Sequence, residues 1–316
     1  MGVISTLGLS NILKMRKAHN IALKYVQGYA VSSCLCALSK TDMLDDFQRM
    51  GSIDIKSYAK NKNLDEEVLT SICEYLYCTK ILDKNKNNYQ FSRMGKFIFK
   101  YTMGPFSFIN AYSQVFTELE FLLKKQKKYG VEIHKDGKWV AKASAETENW
   151  IPYPIIKKVL RQYNFKRIID LGCGGAEFLI KLCNDNQELL GYGVDISASA
   201  LKYAEAKISE HKLQKRIQLI YEDILNVNAF AKIKPQKVDV IISMFVLHEF
   251  IDKNDNQNTK IVAMLKNLKK HFPNSWLIVC ELCKKKPELL RKRESLIAEH
   301  HLFHALSNQR IVTEGD

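Results

Sequence analysis

The sequence predicts an α/β protein: a doubly wound parallel sheet preceded by a mostly helical, winged-helix-like domain. Three observations carry that expectation. From about Phe165 onward, five short runs rich in β-branched and apolar residues alternate with helical segments, the pattern of a parallel sheet covered on both faces. Before residue 130 the periodicity is helical, and it closes in two β-like runs joined by a polar turn. The length, 316 residues, exceeds what one hydrophobic core commonly serves, roughly 250–300 residues. The boundary is placed between residues 132 and 133.

In the N-terminal half, an apolar helix spans Ala30 to Met43, and the short run Ser52-Ile53-Asp54-Ile55 leads into a helix at Lys56-Ser57-Tyr58-Ala59. Polar Asn61-Lys62-Asn63 separates it from a second helix, Glu66 to Leu76, whose Val68, Leu69, Ile72, Tyr75 and Leu76 form one apolar stripe. Lys80-Ile81-Leu82 and Tyr89-Gln90-Phe91, around the turn-rich 83–88, make the wing. A winged helix can read DNA, but this second helix carries Glu66, Glu67 and Glu74 and no arginine, so it would repel phosphates. The half is therefore read as a dimerisation module.

In the C-terminal half the five runs are Arg167–Leu171, Leu190–Asp195, Ile217–Tyr221, Val238–Ser243 and Trp276–Cys280. Ile261, Met264, Leu265 and Leu268 after the fourth run recur at helical spacing and give a helix lying on the sheet.

Composition narrows the function classes. With 46% hydrophobic and 26% charged residues the chain is globular, not disordered or collagen-like. The 48 Lys+Arg against 34 Asp+Glu give a net charge of +14, but the lysines are scattered, and clusters such as Lys124-Lys125-Gln126-Lys127-Lys128 suit wet helix faces. No aromatic interleaving suggests base stacking, so nucleic acid is not an expected partner. No run reaches the ~18–20 uninterrupted apolar residues of a membrane span, and none is expected. Met1-Gly2-Val3-Ile4-Ser5-Thr6 lacks the pattern of an export signal, and its match to the short myristoylation pattern is read as chance. A cytoplasmic, reducing location is expected, with the eight cysteines free; Cys34 and Cys36 read as core.

The first strand ends in Asp170-Leu171-Gly172-Cys173-Gly174-Gly175-Ala176-Glu177-Phe178 and runs into a helix. Gly172 and Gly174 let the chain turn sharply and leave room for a ligand against the loop. Asp195 closes the second strand, where it faces a ligand across the switch point and can bind both ribose hydroxyls. The loop reads G-x-G-G-A, an acid precedes it, and Glu222-Asp223 follows the third strand, so a cationic ligand suits the site better than a pyrophosphate.

Asp170 to Phe178, Asp195, Asp223 and the fourth run resemble the class I S-adenosylmethionine (SAM) methyltransferases over about Tyr153 to Leu282. With the winged-helix half, the whole chain resembles the two-domain small-molecule methyltransferases, which dimerise through that half. The resemblance implies a Rossmann-like SAM domain over 133–316 and SAM as cofactor. It implies that Gly172 and Gly174 line the methionine end, Asp195 binds the ribose, Asp223 meets the adenine amine and Met244 flanks the adenosine. Asp170, Cys173, Ile196 and Ile224 complete the implied cofactor set, and Ala176 replaces a third loop glycine.

For the acceptor, His248-Glu249 follow the fourth strand at the carboxyl edge, where catalytic groups of such sheets sit. In the O-methyltransferases of this type a histidine there is the general base, a task that suits an imidazole. The tail helix Glu299–Gln309 adds His300 and His304, one turn apart, and resembles a subgroup that C-methylates α-keto acids. That resemblance implies a divalent or ferric metal ion held by His248, Glu249 and His304, acting as Lewis acid on the keto acid. Metal-assisted C-methylation is the first expectation. Metal-independent O-methylation with His248 as base, a SAM-binding DNA-contacting regulator and an inactive dimer partner stay open. Tyr153 is a candidate to cover the substrate or the SAM methyl, and Cys280-x-x-Cys283 lacks the second pair a zinc site needs. Beyond Cys280 the sequence reads as helix or coil, so the two further strands of the family are missing and the sheet keeps an edge for another chain or loop to protect.

Overall fold

The computed structural model describes residues 8–150, 152–226, 230, 233, 234, 238–251, 258–292, 295–311 and 313. The opening segment read for export and myristoylation lies outside the described residues. The chain divides into two compact units, Met1–Asn110 and Ala111–Asp316. The division falls earlier in the chain than residues 132/133, because Tyr112 stacks on Phe303 of the tail helix (4.7 Å) and Phe116 meets the same ring edge-on (5.8 Å). Residues 111–132 thus pack with the C-terminal unit.

In the N-terminal unit a long helix, Leu9–Lys40, and a short one, Met43–Met50, precede strand β1 (Ser52–Asp54). Asp54 caps the helix Ile55–Lys62 by accepting from Ser57 N (2.9 Å), and Asp65 caps Glu66–Cys78 by accepting from Val68 N (2.9 Å). Strands β2 (Leu82–Asn85) and β3 (Asn88–Phe91) form the wing, and the three strands pair antiparallel in the order β1-β3-β2. Leu35, Leu38, Met43, Phe47, Leu76 and Tyr89 fill the core. This is the expected winged helix, and Glu74 of its second helix pairs with Lys84 of the wing (2.8 Å).

The helix Leu9–Lys40 corrects one expectation: among the described residues it alone is long and apolar enough to cross a membrane. Its apolar residues are interrupted by basic and small polar ones, so no uninterrupted run shows in the sequence. Its last turns are buried in the unit's core through Leu35, Cys36 and Leu38, whereas Leu13, Ile21, Val26 and Tyr29 are exposed.

In the C-terminal unit the strands are β4 (Arg167–Leu171), β5 (Leu190–Asp195), β6 (Ile217–Tyr221), β7 (Val240–Met244) and β8 (Trp276–Cys280). All pair parallel, in the order β6-β5-β4-β7-β8, so the order reverses between β4 and β7 and opens a crevice at their carboxyl ends. Alternation along the strands divides the core between two faces. Ile168, Ile242 and Met244 pack under the helices Pro152–Gln162 and Glu177–Asp185, while Ile169, Leu171 and Ile241 pack under the helix Thr259–His271. β8 is one of the two outer strands, with Trp276, Leu277 and Val279 exposed.

Candidate active site

The loop after β4 is shaped by its neighbours. Gly172 and Cys173 both donate their backbone N–H to the Val194 carbonyl (2.8 and 3.1 Å), which ties the loop to the end of β5. Asp195 at that end accepts from Gly174 N through Oδ2 and from Ser197 N through Oδ1, each at 2.8 Å, and so orients the loop and the next helix together. Gly172 has φ +69°, and a Cβ there would lie 2.5 Å from Val246 Cγ2 of the turn after β7. The two loops are in direct contact. Ala176, which replaces the third loop glycine, sits at φ +58°, a left-handed position that an alanine adopts at a cost.

The remaining implied cofactor residues fall at the same sheet edge. Asp223 follows β6 and accepts from Leu225 N (2.9 Å), and Glu222 N bonds to the Asp195 carbonyl (3.0 Å), so the second and third acids sit on adjacent strand ends. Ile196 is exposed, Met244 closes β7, and Ile224 is buried in the core, which leaves its backbone for any ligand. The Cys173 side chain turns under Gly193, and burial, with Asp170 and Asp195 nearby, pushes its thiol up; its contribution to a ligand is its backbone. Asp170 is 3% exposed and has no hydrogen-bond donor among the described residues; burial first, then the carboxylates of Glu148, Asp195 and Glu177, hold its pKa well above the usual range. A buried carboxylate without a donor, next to a loop with a Cβ-free face, fits a ligand with a cationic amino-acid end. The residues present fit SAM.

The turn after β7 is strained where it carries chemistry. Phe245 has φ +55°, rare for an aromatic residue, and its N–H is held by the Cys280 carbonyl (2.8 Å). A 3₁₀ turn, Leu247–Phe250, follows. Glu281, just past β8, grips it at two points: Oε1 accepts from Leu247 N (2.6 Å) and Oε2 accepts from His248 Nδ1 (2.8 Å). This fixes the tautomer and leaves His248 Nε2 as an acceptor. Glu281 was not among the sequence candidates. Its signal was its position, one residue past the strand beside β7, where a carboxylate faces the residues that follow β7.

His304 lies edge-on to His248, with ring centroids 4.9 Å apart, and donates from Nδ1 to the His300 carbonyl (2.7 Å). Burial, with the charges of His248, Lys135 and His300 nearby, lowers its pKa to about 4 despite that hydrogen bond. Glu249 Oε1 stands 3.7 Å from His248 Nε2 and 3.5 Å from Lys135 Nζ, and the same ammonium donates to Gln309 Oε1 (3.1 Å). His248, Glu249 and His304 are thus neighbours, as expected. Yet among the described residues no three His, Cys, Asp or Glu side chains are placed to hold a metal ion. Glu249 faces the Lys135 ammonium, so the three side chains are not gathered as the expected metal's donor set.

Tyr153 is also corrected. It packs with Phe178, Lys181 lies 4.1 Å over its ring, and its hydroxyl donates to the Asp185 carboxylate. It joins the helices Pro152–Gln162 and Glu177–Asp185 instead of covering a ligand, because it falls on the inward side of its helix.

Residues 164–313 match the family described as Methyltransferase domain. The fold is shared with solved methyltransferases, and the match to this methyltransferase family lies within the C-terminal unit. The chain is similar to release factor glutamine methyltransferase of Dictyoglomus turgidum, 25% identical over 107 residues, 34% of this chain and 37% of that protein. It therefore spans little more than a third of that curated relative. Among solved structures it is similar to human N-acetylserotonin methyltransferase in complex with SAM, at TM-score 0.65 and 14% identity over 94% of this chain and 88% of that one. It is likewise similar to the mitomycin 7-O-methyltransferase MmcR, at TM-score 0.64 and 14% identity over 96% and 90%. Both likenesses show the shared two-part fold.

Proposed function

We propose that this chain is a SAM-dependent methyltransferase that methylates a hydroxyl oxygen of a small molecule, with His248 as general base. The observation that carries the base assignment is the 2.8 Å hydrogen bond between His248 Nδ1 and Glu281 Oε2. When bound, SAM supplies a methyl group on a sulfonium sulfur, which departs as a neutral thioether. Gly172, Gly174 and Asp195 hold the loop open at the methionine and ribose positions, and Asp223 and Met244 flank the nucleoside end. His248 Nε2 takes the acceptor's hydroxyl proton as the oxygen–methyl bond forms. Glu281 keeps the ring oriented and stabilises the imidazolium that results. The contact between Gly172 and Val246 sets the cofactor loop and the base turn in register, so both reactants meet at a fixed separation. The O-methyltransferase and SAM-bound relatives support this reading over metal-assisted C-methylation of an α-keto acid, for which the donor set is not arranged.

Methyl transfer from labelled SAM to a panel of phenols, alcohols and keto acids tests it. His248→Gln lowers kcat by about 10²–10⁴-fold with SAM binding retained, the usual contribution of a general base. Glu281→Gln lowers it by a smaller factor, His304→Ala stays within a few-fold, and a chelator has no effect. Chelator-sensitive methylation of a keto acid, lost in His304→Ala, would instead establish the metal route. The chain works in this reading as a homodimer joined by the helix Leu9–Lys40.

A further inference from the structure

One carboxylate beside the base takes no part in the proton transfer described above. Glu249 follows His248 in the turn Leu247–Phe250 and is half exposed, whereas His248 is buried. Its Oε1 lies 3.7 Å from His248 Nε2, the atom that takes the acceptor's proton. Two other elements fix that carboxylate. Lys135, just ahead of the helix Gly137–Glu148, pairs with Oε1 (3.5 Å) and donates to Gln309 Oε1 (3.1 Å). Gln309 is tied in turn to the tail helix, its backbone N–H donating to the His304 carbonyl (2.8 Å). Apart from that ion pair, Glu249 accepts no hydrogen bond among the described residues. The lysine anchors the carboxylate without filling its lone pairs.

A hydroxyl that gives its proton to Nε2 lies about 2.6–3.2 Å from it. A second oxygen on the adjacent carbon lies about one O–H···O hydrogen-bond length from the first, ~2.7–2.8 Å. A further step of that length closes the circuit to Glu249 Oε1, because three such steps span 3.7 Å with a bend to spare. The neighbouring oxygen must bring a proton. An ionised carboxylate only accepts, so it binds a hydroxyl there and repels an ether oxygen.

We propose that Glu249 is a specificity-determining residue and that the acceptor is a vicinal diol of the catechol type. One hydroxyl is methylated at His248, and its neighbour donates to Glu249, which Lys135 and Gln309 hold in place. The inference rests on the O-methylation reading above. The reacting hydroxyl passes its proton to Nε2 as its oxygen bonds the methyl carbon, and the neighbouring hydroxyl keeps its proton throughout. The product is a mono-ether. Its remaining hydroxyl reaches Nε2 only by turning the ether oxygen toward Glu249, so methylation stops after one methyl group.

Methyl transfer from SAM to catechol, 2-methoxyphenol and phenol by the full chain, with the products separated by chromatography, tests this. The wild type is expected to favour catechol over 2-methoxyphenol by about 10–100-fold in kcat/KM, the worth of one hydrogen bond to a charged group, and to accumulate the mono-ether. Glu249→Gln, whose amide donates as well as accepts, lowers that ratio by about tenfold and carries catechol on to the dimethyl ether. Lys135→Met lowers the ratio in the same direction with S-adenosylhomocysteine affinity retained, and Lys135→Arg keeps it. A lysine that only braced the fold would move all three phenols alike, and thermal melts report that the variants fold. Equal kcat/KM for catechol and 2-methoxyphenol in the wild type overturns the proposal and leaves O-methylation by His248 standing. So does methylation confined to phenols with a lone hydroxyl, or an unchanged ratio in Glu249→Gln. If no hydroxyl compound accepts the methyl group, the O-methylation reading falls with it.

Discussion

At the scale of single residues, the site depends on one atom that is missing. Gly172 is left-handed at φ +69°, and a methyl group in place of its hydrogen would come within 2.5 Å of Val246 Cγ2. Two costs follow in Gly172→Ala. The left-handed backbone costs an L-residue about 1–2 kcal/mol, and Val246 must move with the turn that holds His248. SAM affinity, read by calorimetry, falls by tenfold or more, and methyl transfer falls further because the base turn shifts as well. Adding Val246→Ala to the same chain restores part of the affinity by removing the clash, and leaves the backbone cost. If Gly172→Ala binds SAM as the wild type does, the loop is not the cofactor cradle.

At the scale of elements, the winged helix is anchored by a buried charge. Asp46 is 4% exposed and accepts from the Tyr58 hydroxyl (2.8 Å), with Lys62 Nζ at 3.1 Å and Arg49 also bonded to it. The Tyr58 hydrogen bond, followed by that to Lys62, lowers its pKa, so the stability it adds is present above the unfolded carboxyl pKa and is lost as pH falls through the folded one. Asp46→Asn is expected to destabilise the unit by about 1–3 kcal/mol at pH 7, the cost of leaving such donors poorly satisfied, and by less near pH 3. Denaturant unfolding at the two pH values measures the difference. Such tertiary anchors also mark where the sequence stops being legible. The five parallel strands could be read because each is a short, largely apolar run between helical segments, and the acids Asp170, Asp195 and Asp223 because each lies at or just past the carboxyl end of a strand. Tyr153 could not be placed, since a tyrosine beside two prolines fits the inside or the outside of a helix. Glu281 and Lys135 act through neighbours far away in the chain, and nothing local distinguishes them from surface charges. The histidines of the tail were legible as one-turn spacing, but not the edge-to-face contact that His304 makes with His248.

At the scale of the whole molecule, the helix Leu9–Lys40 needs a partner for the part that precedes its buried turns. It carries Lys14, Arg16, Lys17 and Lys24 and no acid, and exposes Leu13, Ile21, Val26 and Tyr29. A helix lying on a lipid surface concentrates its apolar residues on one side. Here they are distributed around the whole circumference, which is the pattern of a helix enclosed by protein. In the homodimer proposed above, a second copy supplies that enclosure. Sedimentation at micromolar concentration is expected to give twice the mass of one chain. Val26→Asp, at a position 67% exposed, should shift the mass to that of a single chain while SAM binding by the C-terminal unit persists. Vesicles containing anionic lipid should leave the wild-type protein in the supernatant. A monomeric wild type that pellets with those vesicles would show that the helix serves a membrane instead, and the homodimer would be excluded.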